Sequence, residues 1–286
     1  MKAVRYTAIL VSALPVVLKA QNVTFDDEVN LWNIQLGQQA TVFAENAYIR
    51  SGPSLTSAVT DSLRAGTEVT IVSAPHKGAN IRHFYAPWYE ITYINDHQKK
   101  HGFIWLGLLA LDKQTDSQGF QYLFGFDHFV QTKAIEEQDH FLTSIKRLAP
   151  DRSLVSSYSY RFPFAGQLIA QGKLLSGMGL ENVQHIFRME FLSEACGVPS
   201  DYYYVAWTGQ HFICLPHRYS VGDAGVFYHD EKIQFPSEHR KNKNIIYKYI
   251  EDGEVLDEET GNYKVSRRLE AFKWDGYKFT KTPLSE

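Results

Sequence analysis

The side chains of this chain that could do chemistry concentrate in its second half. Cys196 lies in Glu194-Ala195-Cys196-Gly197-Val198, with His211, His217, His229 and His239 downstream as candidate bases. A thiol becomes a nucleophile when a neighbouring cation or a helix N-terminus lowers its pKa. The sequence offers Cys196 neither, since it enters a turn between strand-like segments. With 11 histidines in the chain, a downstream histidine is expected by chance and carries no weight. Residues 223–231 mix metal-ligand types. Strand alternation puts His229 and Glu231 on one face and Asp230 on the other, and a zinc site would need further ligands from elsewhere. Glu251-Asp252-Gly253-Glu254, with Asp257-Glu258-Glu259, lacks the regular Asp-x-Asp-x-Asp-Gly order of a calcium loop. Both stretches read as solvated hairpin turns, and the basic run of residues 239–243 as an exposed loop. No metal or cofactor is expected.

Cys196 and Cys214 are the only cysteines. In an exported chain an even count admits a disulfide. A meander through residues 185–195, 202–207 and 210–214 would put both at one end, two strand spacings or about 9.6 Å apart. A disulfide needs Cα atoms within about 7 Å, which a bulge or corner at Cys196-Gly197 would supply. Two separately buried thiols are the alternative.

These residues need elements to carry them, and the elements read as strands. The chain has 286 residues, enough for two domains. Its 17 Tyr and 18 Phe, spread through short Gly-punctuated segments, favour strand over helix. The net charge of −3 gives no drive towards nucleic acid or an anionic membrane. Lys2 and Arg5 precede an apolar run at residues 8–18 and the small residue Ala20. This predicts a signal peptide over residues 1–20, cut after Ala20, and a secreted or periplasmic mature chain. The run is too short for a membrane span. Residues 21–38 read as a linker whose Trp32 packs on a neighbouring domain. The polar run of residues 112–119 reads as a boundary. Residues 138–160 read as strand–turn–strand around Ala149-Pro150-Asp151-Arg152, with helix–turn–strand as the alternative. Residues 165–182 carry four glycines and give no clear pattern. Trp207-Thr208-Gly209-Gln210-His211-Phe212 and Trp274-Asp275-Gly276-Tyr277-Lys278-Phe279 share the form Trp-x-Gly-x-x-Phe. That form predicts two hairpins whose Trp and Phe cover each other. Two copies in about 165 residues are too few for a propeller, so residues 118–284 read as a β-sandwich or open barrel of hairpins.

Residues 39–112 carry their own pattern. Tyr48-Ile49 runs into the turn Arg50-Ser51-Gly52-Pro53. Gly66 precedes the strand around Val69, Trp88-Tyr89 follows, and Gly102-Phe103-Ile104-Trp105 closes the set. These residues resemble the bacterial SH3 domains, a match covering about a quarter of the chain. Two departures stand out: the segment of residues 76–87 is longer than compact members need, and Ile104-Trp105 follows the aromatic of the closing element. The resemblance implies an SH3-like barrel and a non-catalytic module recognising cell-wall peptidoglycan or a peptide. Tyr48, Tyr85, Trp88, Tyr89 and Trp105 are the candidate lining of a groove, since exposed aromatics pack on sugar faces and peptides. Such modules accompany cysteine peptidases that set Asp-Cys-Ser-Gly at a helix start, a pattern Cys196 does not match. The whole reads as an all-β, exported, non-catalytic binding protein. The alternatives are a wall hydrolase targeted by the barrel and a structural or protein-interaction scaffold.

Overall fold

The computed structural model describes residues 23–26, 30–132, 137–257 and 262–283. The expected leader, residues 1–20 with its cleavage point, lies outside them. The described chain is all-β, in three antiparallel sheets whose strands follow one another in sequence. No helix of the described residues is long and apolar enough to cross a membrane.

The first sheet holds β1 (Gln39–Thr41), β2 (Ala47–Arg50), β3 (Val59–Leu63), β4 (Glu68–Ile71), β5 (His76–Ile81), β6 (Phe84–Asn95) and β7 (Gln98–Trp105). Its order is β1-β4-β6-β7-β2-β3, with β5 on β6. The order ends on β1 and β3, which do not pair, so this sheet does not close into the barrel expected of residues 39–112. β6 is rich in aromatic and β-branched residues, which suit a pleated, half-buried surface. Its Pro87 has no donor for a ladder. It sits in the bulge of the β5–β6 pairing, one residue before pairing with β7 begins at Trp88. The long segment of residues 76–87 is thereby explained. It adds the hairpin β5–β6, turned at Arg82 and His83 with φ of +56° and +67°. In the Arg50-Ser51-Gly52-Pro53 turn, Arg50 donates to the carbonyls of Leu55 and Ser57. Gly52 does not take a positive φ there; a Cβ on it would lie 2.9 Å from Ser57 Oγ, so close approach is what calls for glycine.

The second sheet is β8 (Asp112–Thr115), β9 (Gln121–Val130), β10 (His140–Leu148) and β11 (Leu154–Phe162), in the order β11-β10-β9-β8. The polar run expected as a boundary is therefore strand β8 and its turn. Asp116 caps that turn by accepting the N–H groups of Gln118 and Phe120. The turn at residues 149–152 is closed by Arg152 N–H on Ala149 O, with strands on both sides as preferred. The third sheet runs β12 (Ile169–Ser176), β13 (His185–Leu192), β14 (Ser200–Trp207), β15 (Phe212–Cys214), β16 (Arg218–Asp223), β17 (Phe227–Gln234), β18 (Ile245–Asp257), β19 (Asn262–Trp274) and β20 (Phe279–Thr282). β15 and β16 both pair with β14, interrupted around Pro216. Both repeated hairpins form. Trp207 pairs with Phe212 and Trp274 with Phe279, and Gly209 and Gly276 take φ of +94° and +96°. Only glycine adopts that conformation without strain. The Trp207 and Phe212 rings meet edge to face at 5.0 Å.

The middle sheet is packed on both faces. On one face Phe124, Phe126 and Phe162 meet Phe187 and Phe191 of β13, with Phe162 and Phe191 stacked at 3.7 Å. On the other, Gly125 lies against the Phe43 ring, which a Cβ would strike at 2.7 Å. One apolar cluster runs from Ile49, Trp88 and Trp105 of the first sheet to Phe191 and Trp207 of the third. The segment expected as a linker supplies Phe25, Leu31 and Trp32 to this cluster. Trp32 Nε1 donates to Leu109 O and its ring meets Phe126 at 5.6 Å.

Candidate functional site

The aromatic set expected to line a groove does not form one. Trp88 is 2% exposed, Tyr89 3% and Trp105 0%, whereas Tyr48 is 55% exposed. Trp105 is fixed from inside: its Nε1 donates to Ala86 O at 2.8 Å and its ring packs on Phe84. Tyr85 is half-buried, and its hydroxyl accepts the N–H of Gly78. A small sheet fills its core with its largest side chains, because burying an aromatic contributes more than exposing it. The five candidates thus divide into three core residues, one hydroxyl that braces β5, and Tyr48 alone at the surface.

The two thiols are free, Cys196 exposed and Cys214 half-buried. Cys214 lies opposite Val205, while Gly197 lies beside Gly222, beyond Ser200. The five strand positions from Val205 to Ser200 alone span about 16 Å, twice what a disulfide bridges. The break at Pro216 causes the difference from the expected arrangement. β15 stops after three residues, so Cys214 never reaches the end of β14 where Cys196 sits. Burial raises the Cys214 thiol above its ordinary value, the opposite of what nucleophilic use requires.

Two polar sites stand out instead. The first is a cleft where the first sheet meets the β10–β11 turn. Its walls are Thr67 and Thr70, Thr92 of β6, Gln121 of β9, and the cations Lys99 and Arg152. Arg152 donates to Thr67 Oγ1 at 3.0 Å, which fixes the guanidinium at the rim. Neither cation is ion-paired among the described residues, and Gln121 Oε1 is a buried acceptor without a hydrogen-bond partner. Glu68 and Tyr93 line it too, but Glu68 is paired with Lys113 and Tyr93 is buried with its hydroxyl on Asp61, so the cleft offers donors and positive charge without an exposed aromatic platform.

The second is a charged network across β16, β17 and β18. His229 Nδ1 lies 2.6 Å from Asp252 Oδ1, and His229 Nε2 lies 3.3 Å from Glu231 Oε1. Lys248 binds Glu231 Oε2 at 2.7 Å, Tyr219 N–H donates to the same oxygen, and the Tyr219 ring stacks on His229 at 4.3 Å. Arg268 completes the chain on Asp252, whose carboxyl the His229 hydrogen bond holds below its ordinary value. The ionisable residues His229, Asp230, Glu231 and Glu251, Asp252, Glu254 of those stretches therefore sit on strands β17 and β18, joined in cross-strand pairs. Within the first stretch Ala224, Gly225 and Val226 do form a hairpin turn, while residues 258–261 of the second lie outside the described residues. The alternation of His229 and Glu231 was legible; their partners Asp252 and Lys248 on β18 were not, because they lie far along the chain on another strand. No group of His, Cys, Asp and Glu among the described residues could hold a metal ion. Comparison with known family models, with curated proteins and with solved structures found no match.

Proposed function

We propose that this chain is an exported, non-catalytic binding protein that recognises cell-wall peptidoglycan or a peptide through the cleft between the first sheet and the β10–β11 turn. The observation that carries the reading is the pair of unpaired cations, Lys99 and Arg152, above a wall of threonine and glutamine side chains. Wall glycan and its stem peptides present hydroxyls, amides and carboxylates, which these groups are suited to bind. The Arg-Ser-Gly-Pro resemblance to bacterial SH3 modules supports the same class of ligand, though not the aromatic groove first expected for it.

A wall hydrolase is the second reading, because Cys196 and His229 line one surface groove. Against it, both His229 ring nitrogens face carboxylates, those of Asp252 and Glu231. Co-sedimentation of the chain with purified peptidoglycan, with the supernatant assayed for released fragments, tests both. Sedimentation without release is expected. Release that alkylation of Cys196 abolishes would replace the binding reading with the hydrolytic one. Absence of sedimentation would remove the wall as ligand.

A further inference from the structure

Arg218 is a half-buried guanidinium held rigidly but left without an anion. Its plane lies over the Tyr202 ring at 3.4 Å, its Nε donates to Tyr204 Oη at 3.3 Å, and its Nη1 donates to the Glu231 carbonyl at 3.3 Å. No carboxylate pairs with it among the described residues. Two of the nearby acids are committed elsewhere. The Glu231 carboxylate is turned to Lys248 and His229, and Glu238 Oε2 accepts the N–H of Phe235. Arg188, in the same pocket, is already neutralised by Glu190 through its Nε and Nη2. Asp230 and Lys232, of opposite charge, also line the pocket. The remainder of the lining is apolar: Leu175, Met178, Ile233 and Phe235, which belong to one packed cluster.

Stripping water from a guanidinium is costly unless an acceptor replaces it. Stacking on Tyr202 fixes the fork and so removes most of the entropy that a bidentate partner would otherwise have to overcome. We propose that this pocket binds the terminal carboxylate of a peptide whose last residue is apolar. The carboxylate engages the free edge of Arg218, and the side chain lies against the apolar lining of Met178 and Phe235. A phosphate would satisfy the cation but would leave the apolar walls unused. The site lies on the nine-stranded sheet and does not depend on the junction cleft.

The test is calorimetric titration of the full chain with acetyl-alanyl-leucine carrying a free carboxylate, and with the same peptide as its C-terminal amide. The acid is expected to bind at least about tenfold more tightly than the amide. Arg218→Gln is expected to erase that preference, and Leu175→Trp to block both peptides by filling the pocket while leaving Arg218 in place. Arg152→Ala tells the two sites apart, since a titration lost through it places the peptide in the junction cleft. Thermal melts accompany each variant, so that if Arg218→Gln fails to fold, Leu175→Trp decides. Equal binding of acid and amide, no binding of either, or undiminished binding by Leu175→Trp would overturn the proposal. Loss through Arg152→Ala alone would move the peptide to the junction cleft and overturn it equally.

Discussion

Asp61 of the first sheet and Asp201 of the third are both shielded carboxylates, yet they lie on opposite sides of the usual carboxylate range. Burial pushes the Asp61 carboxyl up, but donors from Asn95, Ser62 N–H, Lys100 and Tyr93 outweigh it and hold it at about 2. Asp201 receives one donor, Gln167 Nε2 at 2.9 Å, and burial together with the charge of Glu231 pushes it up to about 6. The difference lies in how many donors each site supplies. In the first sheet the polar group is fully satisfied and ties β3 to β6 and β7, while the tryptophans face inward. In the third, ionisable groups are left under-supplied: Asp201, the unpaired Arg218, and His229 between two carboxylates. The aromatic core of the first sheet is built as a scaffold, with its free cation Lys99 held at the cleft rim, and the third sheet keeps charge available at partly buried positions, the condition in which sites for ligands occur.

The comparison breaks most easily at Trp105. If the first sheet is scaffold, Trp105→Ala should cost about 3–5 kcal/mol in denaturant unfolding. A variant that kept its stability but lost wall binding would restore the aromatic groove. Asp201→Asn sharpens the contrast from the other side. The raised Asp201 pKa means that its contribution to stability is full below the unfolded value near 4 and is lost as pH rises through about 6. Asparagine should therefore stabilise the protein by about 2 kcal/mol at about pH 8 and change little at about pH 4. Asp61 runs in the opposite sense. Its depressed pKa gives stability that is present above the unfolded value and lost as pH falls towards about 2. Asp61→Asn should cost about 1 kcal/mol at about pH 7, with the deficit shrinking towards about pH 2. Unfolding midpoints across pH read both. The smallest effect belongs to Tyr48→Ala, which should stay within about 0.5 kcal/mol of the parent and keep its sedimentation with the wall.

Much of the fold was legible because its signals are local. The Trp-x-Gly-x-x-Phe hairpins follow from glycine turns and cross-strand rings, and the turn at residues 149–152 from its Pro-Asp pair. The site was less legible because its signals are not local. Nothing in Trp88-Tyr89 or Trp105 says whether an aromatic faces core or solvent; that depends on which sheet packs behind. Arg218 owes its isolation to where Glu190, Glu231 and Glu238 turn on β13, β17 and the short helix Pro236–His239 that follows it. The Cys196–Cys214 geometry hung on Pro216, a break that strand spacing alone does not reveal.

The most direct test of the central claim is peptidoglycan co-sedimentation of two double variants, Lys99→Ala/Arg152→Ala and Tyr48→Ala/Tyr85→Phe, at about 50 and about 200 mM salt. The cleft predicts that the first pair loses at least about fivefold in bound fraction together with its salt dependence, while the second binds as the parent does. Full binding by the first pair with loss in the second would contradict it and return recognition to the aromatic residues of the first sheet.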